Sequence, residues 1–61
     1  MLLIRHGLTS DGRTWGIAED RRAFWLITGN DIYEVCEAVA EELVTEDFPS
    51  YEAALEAARE L

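Results

Sequence analysis

The chain has 61 residues, a formal net charge of −8, five arginines, no lysine and one cysteine. That length allows one small domain, which buries only about 60% of the surface its unfolded form exposes, so a second copy or a partner is the usual support for its core. The lone Cys36 excludes an internal disulfide and fits a reducing, cytoplasmic setting. One His and one Cys give no metal-ligand set, and no cofactor is expected.

The elements are predicted in chain order. Residues 2–6 (LLIRH) read as a short strand, and GLTSDGR, rich in Gly, Ser, Thr and Asp, as a wide turn. Residues 14–19 (TWGIAE) alternate, with Trp15 and Ile17 on one face and Gly16 and Ala18 on the other. After a DRR turn, residues 23–28 (AFWLIT) form a third strand by aromatic and β-branched content. Short links imply an antiparallel meander.

GND then breaks the strand and opens a helix over residues 31–45. Asn30 or Asp31 can cap it, Asp31 and Glu34 have capping-box spacing, and Ile32, Val35, Cys36, Val39 and Leu43 make an apolar stripe. Cys36 is thus expected to be a small buried hydrophobe. TEDFP ends that helix, and Ser50 caps a second over residues 50–60. Tyr51, Ala54, Leu55 and Ala58 line its inner face. The expectation is a single α+β domain over residues 1–61, ordered βββαα, with a three-stranded antiparallel sheet and both helices packed on one face. The longest apolar run is AFWLI, so no membrane span is expected, and the opening residues lack the pattern of a signal peptide.

In that arrangement Phe24 and Leu26 face the helices, and Trp25 and Ile27 face outward. Arg21 and Arg22 flank the aromatic pair. Trp25, Ile27, Arg21 and Arg22 are a candidate second interface, because Trp and Arg are enriched at binding hot spots.

The segment Arg5-His6-Gly7-Leu8-Thr9 resembles the R-H-G-x-T string that ends the first strand of histidine phosphatases and phosphoglycerate mutases. By that resemblance His6 would be the nucleophile and Arg5 would hold the phosphate. The match covers five residues, Gly12 stands where the family often has Asn, and there is no second His for the family's catalytic pair. No Gly-rich phosphate cradle and no nucleophile–base pair appear elsewhere. No catalytic residue is assigned, and the protein is expected not to be an enzyme.

Charge is the most informative feature. Residues 1–29 carry four arginines against three acids, whereas residues 30–61 carry ten acids against Arg59 alone. On the first helix Glu34, Glu37 and Glu41 recur on one face, and on the second Glu52, Glu56 and Glu60 do so. None has a basic residue four positions later, and each like-charge i,i+4 pair costs roughly 0.2–0.5 kcal/mol. So acidic a surface repels nucleic acid and anionic membrane, so neither is a direct partner. A protein with a basic, nucleic-acid-binding surface is.

Small acidic domains of this type resemble the inhibitors carried by phages and mobile elements, such as anti-CRISPR proteins and other DNA mimics. The expected function is therefore a non-enzymatic inhibitor, with the six glutamates as its partner-binding residues. The alternative is a homodimeric regulatory or antitoxin-like module that uses the apolar sheet face.

Overall fold

A computed structural model describes residues 1–61. Its elements are β1 (Leu2–Leu8), β2 (Thr14–Glu19), β3 (Phe24–Gly29), α1 (Ile32–Ala40), β4 (Glu46–Phe48) and α2 (Tyr51–Arg59). The strands form one antiparallel sheet in the order β1-β2-β3-β4. The architecture is a small α+β domain with four strands rather than the expected three. The additional strand, β4, is three residues long and two of them are acidic, so it leaves no alternating hydrophobic signal.

Side-chain hydrogen bonds shape both hairpins. Between β1 and β2, the Thr9 N–H donates to the Arg13 carbonyl (2.8 Å) and the Gly12 N–H to the Thr9 carbonyl (3.1 Å). Thr9 Oγ1 accepts from the Arg13 N–H at 2.8 Å and donates to the Asp11 carboxylate. Gly12 supplies the left-handed φ of 86° that the turn requires. Between β2 and β3, Asp20 Oδ1 accepts from the N–H groups of Arg22 (2.8 Å) and Ala23 (2.9 Å). This is the local side-chain-to-backbone pairing that favours Asp in turns.

Cross-strand neighbours share a face of the sheet. One face therefore carries Trp15, Ile17, Phe24 and Leu26, and the other carries Gly16, Ala18, Trp25 and Ile27. The first face packs against Ala54 and Ala58 of α2, with Phe48, Tyr51 and Leu55 around them. The second packs Ala18 and Ile27 against Val35 and Val39 of α1, with Leu3, Ile32 and Val44 alongside. The helices lie on opposite faces, which corrects the expectation that both cover one. The chain changes sides by running β4 along the outer edge of β3.

Small residues let each helix approach. A Cβ on Gly16 would stand 2.6 Å from Val35 Cγ1 and 2.8 Å from Leu3 Cδ1, so the glycine is the floor on which α1 sits. On the other side the alanines of α2 do the same job. Ala54 is fully buried and Ala58 nearly so.

Both helix starts follow the capping rules. Asp31 accepts from the Glu34 N–H (2.9 Å) and Ser50 from the Ala53 N–H (3.1 Å). The end of α1 does not follow the apolar stripe. The Leu43 N–H bonds to the Ala38 carbonyl (2.9 Å) and the Glu42 N–H to the Val39 carbonyl (3.2 Å), the paired bonds of a Schellman stop. Glu42 takes the left-handed position at φ 55°, where glycine is usual. The helix expected to reach residue 45 thus ends at Ala40, and Leu43 is left 66% exposed.

Candidate interaction surfaces

The six glutamates do not form one patch. Glu34, Glu37 and Glu41 belong to α1 and its cap, and Glu52, Glu56 and Glu60 to α2 and its cap, so the sheet separates the two rows. All six are exposed. Glu34 is also drawn into the fold. Its Oε1 accepts from the Asn30 N–H at 2.8 Å and its Oε2 from the Asn30 side-chain amide at 3.4 Å. The reciprocal half of the expected capping box thus lands one residue earlier, on Asn30. Glu41 caps the shortened α1.

The row on α2 is unencumbered. Glu52, Glu56 and Glu60 lie opposite Ala54 and Ala58 on the helix, and a spacing of four residues sets their Cα atoms about 6 Å apart along the axis. Glu52 is in the first turn, where the helix dipole favours a carboxylate, and Arg59 is the sole base in the last turn.

The second candidate interface is not an open face. Ile27 is 6% exposed beneath α1, so it offers nothing to a partner. Trp25 is half-buried, and its indole Nε1–H donates to Asp20 Oδ2 at 2.9 Å. Arg21 and Arg22 remain exposed at the tip of the β2–β3 turn. The backbone N–H groups of Arg22 and Ala23, helped by the indole and the Arg22 charge, hold the Asp20 carboxyl below the usual aspartate range against a smaller opposing effect of burial. In the other hairpin the Thr9 hydroxyl is the main cause of a similar depression at Asp11.

Arg5 and His6 leave the sheet on opposite faces. Arg5 pairs with Ile17 and His6 with Gly16, and Arg5 Nη1 donates to the Tyr51 hydroxyl at 2.8 Å. The arginine that the phosphatase resemblance would assign to phosphate therefore braces α2. Tyr51 in turn meets Phe24 edge-on, with ring centroids 6.3 Å apart. Cys36 is exposed, not buried as expected, because it lies beside the Val35–Val39 stripe rather than within it. No group of three or more His, Cys, Asp or Glu is placed to hold a metal ion. No helix is long and apolar enough to cross a membrane.

Two concavities mark the surface. One, of about 520 Å³, is lined by Met1 and Glu19–Arg22. The other, of about 340 Å³, lies where β3 outruns β4, between Thr28, Ala38, Leu43, Val44 and Leu61. The edge of the sheet at β1 is a further surface that the sequence did not flag. Leu2 and Leu8 are 67% and 73% exposed there, and Ile4 sits at a bulge between Leu3 and Arg5. Compared with known proteins, the chain matches no family model, no curated protein and no solved structure.

Proposed function

We propose that the protein is a non-enzymatic binding module that blocks a basic, nucleic-acid-binding surface of another protein, and that α2 is the face that docks. The observation carrying this reading is the row Glu52, Glu56 and Glu60. Its three exposed carboxylates run along one rigid helix with no basic residue four positions on, at a small cost to the fold. Such a row attracts a cationic groove over several ångströms and supplies charge where a nucleic-acid backbone otherwise lies. The α1 row contributes less, because Glu34 is committed to capping and the remaining pair faces away from α2.

The test is capture from a nuclease-treated host lysate with three versions of the chain. The wild type and an α1 variant (Glu37→Lys, Glu41→Lys) retain a nucleic-acid-binding protein that elutes with salt, whereas an α2 variant (Glu52→Lys, Glu56→Lys, Glu60→Lys) does not. Undiminished capture by the α2 variant refutes the reading.

A further inference from the structure

We propose that β1 is a homodimerisation edge, at which two copies pair antiparallel, β1 to β1, and join two four-stranded sheets into one of eight strands. The two edges of the sheet are unlike. β4 is three residues long, carries Glu46 and Asp47, and is followed by Pro49, all devices that discourage further pairing. β1 is seven residues long, carries no acid, and exposes Leu2, Ile4 and Leu8. The backbone of α2 lies over β2, β3 and β4 rather than β1, which it reaches through the Arg5–Tyr51 bond, and the Trp15 ring lies against Gly7.

The direction of the peptide groups sets the register. The Thr9 N–H bonds inward to Arg13, so Gly7 and Arg5 also turn their peptide groups toward β2, and Leu8 and His6 turn theirs outward. A two-fold axis at Gly7 then pairs His6 with Leu8 of the second copy and Leu8 with its His6, giving four backbone hydrogen bonds. Arg5 falls opposite Thr9 of the second copy, so the two arginines do not oppose each other. Glycine meets glycine at the axis, in the position where paired strands come nearest. Carried across the sheet, the same alternation leaves Asp47 alone turned outward from β4, since Glu46 and Phe48 face β3. A β1-to-β4 chain of copies is therefore poorly bonded.

Charge selects the occupant. Residues 1–10 hold Arg5 and no acid, whereas α1, α2 and β4 all carry carboxylates. A second copy of a −8 chain meets like charge at every one of those elements and not at β1. A strongly basic partner is drawn to the acidic elements instead. Isologous pairing also closes the exposed edge and adds apolar burial that a 61-residue core lacks.

Sedimentation equilibrium of the full chain over a wide concentration range tests this. The expected result is a monomer–dimer equilibrium whose dissociation constant rises by at least about tenfold in Leu8→Lys and is unmoved in Tyr33→Lys, a control on an α1 residue that is 81% exposed. Amide exchange of the unmodified chain gives a second readout independent of the variant's folding. The His6 and Leu8 amides slow as the concentration rises, while that of Thr9 does not. A monomer at all concentrations, assembly beyond two copies, or a dimer with His6 and Leu8 amides exchanging at the monomer rate each overturns the proposal.

Discussion

The replacement of Gly16 by alanine measures how closely α1 sits on the sheet. The added methyl stands 2.6 Å from Val35 Cγ1 and 2.8 Å from Leu3 Cδ1, against roughly 3.5–4.0 Å for an unstrained carbon contact. About 1 Å of movement is needed. Leu3 gives way easily, because the end of its flexible side chain makes the contact and the residue is half-buried. Val35 does not, since it is fully buried and its branched Cβ admits one favoured rotamer in a helix. The helix must lift instead.

Overpacking of this kind costs about 1–3 kcal/mol, and the stiffer unfolded chain of an alanine variant returns roughly 0.4–1 kcal/mol. The net loss is about 1–2 kcal/mol. In a domain of this size that lowers Tm by roughly 5–15 °C, read by thermal unfolding followed in far-UV circular dichroism. Combining Gly16→Ala with Val35→Ala should cost less than the two single losses together, because the smaller residue vacates the contact. A Gly16→Ala protein with unchanged or higher Tm, or strict additivity in the double variant, refutes the claim that α1 packs on this face.

Three other outcomes follow from the geometry. Glu42→Gly removes a side chain from the left-handed position at φ 55° and should raise stability by about 1 kcal/mol in denaturant titrations. Ser50→Ala removes the acceptor for the Ala53 N–H and should lower stability by about 1 kcal/mol in the same assay. Asp20 has a depressed carboxyl pKa, so its contribution is present above the unfolded value and is lost as pH falls through the lower folded value. The Trp25 indole N–H resonance should therefore shift with a midpoint below the usual aspartate range, and that titration should vanish in Asp20→Asn.

Local order was legible in the sequence where the chemistry is local. The bounds of β2 agree at Thr14–Glu19, α2 starts at its capping residue Ser50, α1 takes Asp31 of its two candidate caps, and β3 is displaced by one residue. What failed was the assignment of faces. Gly16 and Ala18 read only as the side opposite Trp15 and Ile17, yet small residues in a strand also mark the place where another element comes close. The end of α1 was obscured because Leu43 continues the spacing of Val35 and Val39, and nothing in the sequence announces that Glu42 will take a left-handed turn.

The same error governed the candidate sites. With both helices on one face, the two glutamate rows would lie on the same side of the sheet, and Trp25 with Ile27 would form an open apolar face on the other. With a helix on each face, the rows separate and Ile27 is covered. The exposed β1 edge was hidden because exposure along a strand depends on which neighbours it finds, not on its own composition. Arg5 shows the limit of motif reading in another way. Five matching residues say nothing of the Tyr51 hydroxyl 46 positions away that takes its guanidinium.

The central claim is that α2 occupies a surface made for nucleic acid, and the most direct measurement is competition on the captured partner. The partner is loaded with labelled nucleic acid and titrated with this protein at about 50 and about 200 mM salt. The account predicts competitive displacement that weakens at least about tenfold between the two salts and is lost when Glu52, Glu56 and Glu60 are reversed to Lys. Simultaneous binding of the protein and the nucleic acid, or displacement indifferent to salt and to those reversals, would contradict it.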